Sequence, residues 1–245
     1  MSAVPASVGI ALGDGEVHVW SATGPADHVG ASDAWALLGP DERAMALRLR
    51  NDDDRVRRVQ ARAARRRLLA RYVGADPDDL CFREGRDGKP ELVARPGRPT
   101  VRFNVTHSGS VILIAVAADR ELGVDVERIQ AGFPWEPVAD ASLASVEVVG
   151  IRELPAPRRL RAFFDCWVRK EAYLKGLGTG LSRSTRDIVV PLDPSGGAVH
   201  DASRLVDERS TWRVHPLAVG RDHTAALAVA GDVRITCRPL AQLVP

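Results

Sequence analysis

Along this chain the apolar positions change period from region to region, and the changes mark the elements. "VHVW" (17–20) alternates, as a strand does when successive side chains point to opposite faces. "GPDERAMALRLRNDDDRVRRVQARAARRRLLARYVG" (39–74) has helical spacing and predicts two helices broken near Asn51. Asp52, Asp53 and Asp54 then open the second helix, where the dipole favours anions. Pro77 starts a turn, "LCFRE" (80–84) reads as a short strand, and the glycines and proline of "GRDGKPEL" (85–92) read as a loop. "VRFNVTHS" (101–108) is a strand running into a loop. "VILIAVAA" (111–118) predicts a buried strand and "LGVDVERI" (122–129) another, the two expected to pair as a hairpin across "DRE".

Further on, "PWEPVADASLASVEVVGIREL" (134–154) is weakly helical. "PRRLRAFFDCWVRKEAYLKGLG" (157–178) is strongly so: Phe163, Trp167 and Leu174 recur at helical spacing, and Gly176 and Gly178 are read as its end. "RDIVVPL", "TWRVHPL", "TAALAVAG" and "VRITCRPL" predict four short strands. The fold class read from this order is α+β, each half offering helix plus a small antiparallel sheet, without the regular alternation of a parallel sheet.

Composition narrows the class. With 245 residues, 45% hydrophobic and 27% charged, the chain suits a soluble globular protein. No segment approaches the roughly 20 apolar residues of a membrane span, so no membrane role is expected. "MSAVPASVGIALGDGEVHVW" lacks a basic n-region and is interrupted by Asp14 and Glu16, so it is not read as a signal peptide. Cys81, Cys166 and Cys237 lie far apart, without metal-ligand spacing, and fit a reducing cytoplasm.

A net charge of +2 makes no global demand for nucleic acid, but the charge is uneven. Arginines stand at 55, 57, 58, 62, 65, 66, 67 and 71. Three readings fit: a solvated helix face, a nucleic-acid surface, or a basic wall for a multiply phosphorylated ligand or acidic partner. The absence of aromatics in the run, and of a recognition-helix motif, counts against nucleic acid.

Candidate chemistry begins at "GVDVE" (123–127). Val124 and Val126 face one way, Asp125 and Glu127 the other, about 6–7 Å apart by the strand rise. The pair is either a solvated edge, with Glu127 meeting Arg120 or Arg128, or a divalent-cation site of the oxygen-donor kind that accompanies substrate phosphates. In "WVRKEAYLK" (167–175), Glu171 shares one helix face with Trp167 and Lys175, either as a surface pair or as the lining of a cleft anchored by the tryptophan. Lys89 stands on the "GKP" loop, and "FNVTHS" ends with the hydroxyl of Thr106 and the imidazole of His107, groups suited to phosphate.

"GKP", "FNVTHS", "GVDVE" and "WVRKEAYLKGLGTGLS", in that order across residues 88–182, resemble the surfactin-synthetase-type 4'-phosphopantetheinyl transferases. The resemblance implies two similar, pseudo-twofold-related α/β halves, 1–119 with the nucleotide-phosphate contacts and 120–245 with the metal cluster and catalytic helix, and an active site between them. It implies Mg²⁺-dependent transfer (Mn²⁺ also suits oxygen ligands) of phosphopantetheine from coenzyme A to a serine of apo acyl or peptidyl carrier proteins, releasing adenosine 3',5'-bisphosphate. Asp125, Glu127 and Glu171 are carried over as metal ligands, Glu171 also as general base. Lys175 is assigned to the pyrophosphate, and Lys89, Asn104, Val105, Thr106 and His107 to the nucleotide side. Thr106 stands where many members have serine. Met45 falls where members often carry a basic residue, and Arg43 or Arg48 is expected to substitute. "LASVEVVGIREL" departs from the family's stretch before the catalytic helix and is expected to pack differently. A monomer is implied. The alternatives are an arginine-rich nucleic-acid-binding module and an inactive relative that only binds carrier proteins.

Overall fold

The structure is a computed structural model that describes residues 9–24, 31–85, 88–118, 120–180, 183–202 and 211–243. Residues 86–87 of the expected loop, residue 119 of the expected hairpin turn and residues 181–182 after the strong helix lie outside these.

The elements are β1 (Glu16–Ala22), α1 (Ala31–Ala36), α2 (Pro40–Leu47), α3 (Asp52–Val73), β2 (Phe82–Glu84), β3 (Pro90–Leu92), β4 (Arg102–Ser108), β5 (Val111–Ala117) and β6 (Leu122–Arg128). Then follow α4 (Trp135–Ser142), α5 (Ser145–Glu153), α6 (Ala156–Leu177), β7 (Ile188–Val189), β8 (Gly197–Ala198), β9 (His200–Asp201), β10 (Trp212–Leu217), β11 (His223–Ala230) and β12 (Arg234–Pro239). The fold is α+β. One four-stranded sheet runs β12-β1-β5-β4 and the other β6-β11-β10-β8.

The layers follow from which side chains each strand must bury. The unbroken apolar run of β5 is buried on both faces. Ile112, Ile114 and Val116 pack with Leu68 and Leu69 of α3, while Leu113, Ala115 and Ala117 join Val124 and Val126 of β6 and Leu227 of β11. The second sheet covers its other face with α6, through Ala226 and Ala228 against Phe163 and Leu174. The order is therefore helix, sheet, sheet, helix, with two helices of 22 residues each on the outside.

Local chemistry fixes the helix ends. Asn51 caps α3, its side chain accepting from the Asp54 amide at 3.0 Å, and Gly74 closes it at φ 62°. Gly178, at φ 70°, closes α6; Gly176 lies within the helix instead of ending it.

Three pairing expectations change. β5 and β6 are not a hairpin: β5 lies between β1 and β4, and β6 pairs with β11. A short polar connection announces a reversal, but burying β5 on both faces requires partners from its own sheet. The hairpin partner of β5 is β4, across Gly109 at φ 57°. Pro90–Leu92, expected as loop, pairs with Phe82–Glu84. Finally, β12 runs parallel to β1 in the first sheet, so that sheet is mixed, and the last strand leaves the 120–245 segment to complete the 1–119 one.

The "LASVEVVGIREL" stretch forms α5 around Glu147. Its carboxylate caps the Ala144 amide at 2.8 Å, accepts from Val190 N at 2.8 Å and pairs with the fully buried Lys170 at 2.7 Å.

Candidate active site

The two sheets meet where the edge strands β4 and β6 run side by side. Backbone alternation decides what each residue of "FNVTHS" can reach. Asn104, Thr106 and Ser108 face β6. Asn104 Oδ1 accepts from Val124 N at 2.9 Å, Thr106 Oγ1 donates to Asp125 Oδ1 at 3.1 Å, and Ser108 Oγ donates to Glu127 Oε2 at 2.9 Å while accepting from Arg128 N at 3.0 Å. Val105 and His107 instead line a cleft on the α3 side.

α6 crosses β6 closely enough that a Cβ on Gly123 would fall 2.1 Å from the Ala172 carbonyl oxygen, and one on Gly176 would fall 2.4 Å from the Trp212 ring. That approach brings Glu171 and Lys175 over Asp125 and Glu127. Lys175 Nζ lies 2.5 Å from Asp125 Oδ1 and 3.2 Å from Thr106 Oγ1. Trp167 stacks on Phe163 at 6.2 Å and anchors the same helix face in the core.

The acids are electrostatically coupled. Burial pushes the Asp125 carboxyl up, against the pull of Lys175 and Thr106. Burial and the Asp125 charge raise Glu127. Burial, Asp125 and Glu127 together push Glu171 up to about 7, and Lys175 alone opposes them. The solvated-edge reading of Glu127 does not hold: its partner is Ser108, while Arg120 donates to the carbonyls of Ala230 and Asp232.

Among the described residues no group of three His, Cys, Asp or Glu side chains is placed so as to hold a metal ion as it stands. Lys175 is the counter-ion of Asp125. The donors nevertheless fit a hard divalent cation by their chemistry. All are carboxylate oxygens, and Asp125 Oδ2 and Glu171 Oε1 are buried without a hydrogen-bond partner.

Beside the acids opens a cleft of about 920 Å³, with Met45, Arg58, Arg62, Arg65, Val105 and His107 in its wall. The arginines are not equivalent. Arg65 and Arg66 pair with Glu42 across the α2–α3 contact, and Arg65 lies 3.9 Å over the Phe82 ring. Arg62 donates to the Glu42 carbonyl at 3.0 Å and reaches Met45 Sδ at 3.8 Å. Arg58 is exposed and its guanidinium is without a partner among the described residues. Burial lowers the His107 pKa, followed by the charges of Arg58 and Lys175, so the imidazole lies between the basic wall and the acid cluster.

Of the residues expected at the site, the structure thus gathers Asp125, Glu127, Glu171, Lys175 and Thr106, with Val105 and His107 on the adjoining cleft. Asn104 is buried in the strand junction. Lys89, whose neighbours Gly88 and Pro90 line the cleft, has its ammonium engaged within the chain: its three donors go to Glu121 at 3.0 Å, the Leu122 carbonyl at 3.0 Å and the Gly176 carbonyl at 3.1 Å. Arg43 donates to the Trp35 and Ala36 carbonyls at the end of α1 and does not line the cleft, nor does Arg48, at the end of α2. Sequence reasoning missed Ser108, although it is two residues beyond Thr106 on one strand face. In the sequence Arg58 and Arg62 stand out only as members of the basic run, with a basic wall for a phosphorylated ligand as one of three readings; with Ala61 and Arg65 they have the i, i+3, i+4, i+7 spacing of one helix face and line the cleft.

Comparison with known proteins agrees with this architecture. Residues 25–119 match the family model described as 4'-phosphopantetheinyl transferase, N-terminal, and residues 121–229 that of the 4'-phosphopantetheinyl transferase superfamily. The chain is 30% identical over 228 residues to the 4'-phosphopantetheinyl transferase HetI of Nostoc sp., covering 93% of each chain. It is 26% identical over 195 residues to the 4'-phosphopantetheinyl transferase of Bacillus subtilis, covering 80% of this chain and 83% of that one. With two family models meeting at the junction of the two sheets, and a relative matched along almost its whole length, the chain belongs to the 4'-phosphopantetheinyl transferase superfamily and is an enzyme of that kind.

Proposed function

We propose that this enzyme is of the surfactin-synthetase type and moves the phosphopantetheine of coenzyme A onto a serine of an apo acyl or peptidyl carrier protein, with Mg²⁺ or Mn²⁺, releasing adenosine 3',5'-bisphosphate. The observation that carries the reading is the meeting of Asp125, Glu127, Glu171 and Lys175, from β6 and α6, beside an arginine-walled cleft.

The cleft accounts for the nucleotide end. Arg58 and Arg62 offer donors and positive charge to phosphates, His107 adds a ring donor, and the two arginines take the place of the basic residue absent at position 45. The 1–119 segment then holds the nucleotide and the 120–245 segment the reacting phosphates. Asp125, Glu127 and Glu171 would hold the divalent cation, whose charge neutralises phosphoryl oxygens when it is bound. Lys175 would stabilise the pyrophosphate bridge as it leaves.

The reaction forms one bond between the serine Oγ and the pantetheine-side phosphorus, and breaks the bond from that phosphorus to the bridging oxygen of the pyrophosphate. The bridging oxygen departs on adenosine 3',5'-bisphosphate with the electron pair. The serine proton goes to Glu171, directly or through water. Glu171 is the candidate for that role because it is on the α6 face that meets Asp125 and Glu127, where burial and those two acids favour its binding a proton. Lys89 acts in this account as a clasp between the "GKP" loop and the end of α6.

The test of the base is Glu171→Gln. Turnover should fall by roughly 10²–10⁴-fold while coenzyme A binding, read by titration calorimetry, changes little. Retained turnover would remove Glu171 from that role. The nucleic-acid reading weakens because Arg55, Arg57, Arg65 and Arg66 are all ion-paired within the chain.

A further inference from the structure

β4 and β6 join the two halves through side chains: Asn104, Thr106 and Ser108 each reach across from alternate positions of one strand to the other. In this series Ser108 differs from Thr106, whose hydroxyl accepts from the flexible Lys175 ammonium: the Ser108 hydroxyl is committed at both ends, and one of them is a backbone amide. Its one hydrogen goes to Glu127 Oε2 at 2.9 Å, and a lone pair accepts the Arg128 amide at 3.0 Å. A hydroxyl held by a backbone N–H cannot rotate freely, so it presents its hydrogen in one direction. The Glu127 carboxylate is thereby held by one oxygen, and its other oxygen has its direction set.

The turn that carries Ser108 is itself seated. Gly109 adopts φ 57°, and a Cβ there would come 2.9 Å from His223 Nε2. His223 lies opposite Arg128 in the β6–β11 register. The β4 tip, the β6 tip and β11 therefore meet at this hydroxyl.

We infer that Ser108 is the positioning residue for Glu127: it aims that carboxylate at the cation, so that the N-terminal half orients a ligand supplied by the C-terminal half. This rests on the reading of Glu127 as a cation ligand. Groups that orient metal-binding carboxylates by hydrogen bonds typically matter 10–100-fold in metal affinity.

The experiment is Mn²⁺ binding to the full-length protein without coenzyme A, followed by electron paramagnetic resonance of the free ion. Ser108→Ala should raise the Mn²⁺ dissociation constant about tenfold, and Ser108→Thr, which keeps the hydroxyl, should restore it. A double-mutant cycle separates aim from general damage. In a Glu127→Gln background, Ser108→Ala should cost no further affinity, because the group it aims is already changed. Mn²⁺ affinity of Ser108→Ala equal to wild type would overturn the positioning role alone. An equal loss from Ser108→Ala with and without Glu127→Gln would also overturn it, by showing that the two act independently. Wild-type protein that binds no Mn²⁺, or binds it unchanged after Asp125→Asn, would remove the cation reading and this inference with it.

Discussion

Glu171 shows how burying a carboxyl among other acids weighs on the fold. Its carboxyl is raised to about 7 from an ordinary value of 4.5. The folded state therefore keeps a proton that the unfolded chain gives up, and the stability this contributes is full below about 4.5 and lost as pH rises through about 7. In EDTA, Glu171→Gln should be more stable than wild type at pH 8, by about 1 kcal/mol in urea unfolding, and should gain nothing at pH 4. A variant less stable than wild type at pH 8 would contradict the buried-charge account. Much of the site was legible at this scale. Alternation put Asp125 and Glu127 on one face, and helical spacing put Glu171 with Lys175. What could not be read was the partner of each polar group. Lys89 and Asn104 look like ligand residues in sequence, yet backbone carbonyls and an amide take up their hydrogen bonds.

Among the elements, α6 and β6 decide whether the acids meet. Gly123 and Gly176 are the spacers, since any side chain at Gly123 would strike the Ala172 carbonyl. Gly123→Ala should push α6 away from β6 and lower both melting temperature and turnover. An unchanged melting temperature would show that the contact can relax. Deeper in the same half, Lys170 and Glu147 are both 1% exposed and hold α6, α5 and β7 together. Lys170→Met alone should cost roughly 3–5 kcal/mol by stranding a buried carboxylate, whereas the double change with Glu147→Leu should recover part of that in thermal unfolding. The amphipathic pattern made α6 plain from sequence. α5 read weakly because its N-cap is Ala144, and the capping carboxylate arrives three residues later. The β5–β6 hairpin was misread because strand pairing here is set by which sheet buries β5, and no short window of sequence carries that.

Across the whole molecule, the halves are cross-tied. β12 pairs with β1, and Thr236 on it donates to Glu16 at 2.9 Å, beside the buried His18–Tyr72 pair. Removing residues 232–245 should therefore unfold the N-terminal sheet, although those residues lie farthest from it in sequence, with loss of coenzyme A binding as well as of cooperative melting. Tyr72 joins the long helix to both β1 ring systems, accepting from Trp20 at 2.8 Å, so that damage at β12 reaches α3 and its cleft. The basic run, the most extreme sequence feature, proved the hardest to interpret locally. Its meaning depends on Glu42, which is distant in sequence and pairs with both Arg65 and Arg66 from α2. The most direct test of the account is the intact mass of an apo carrier protein after incubation with this enzyme and coenzyme A, with Mg²⁺ or with EDTA. The account predicts a gain of one phosphopantetheine, lost with EDTA and lost in Asp125→Ala. A gain that survives both would contradict the cation site, and the absence of any gain together with no coenzyme A binding would contradict the transfer itself.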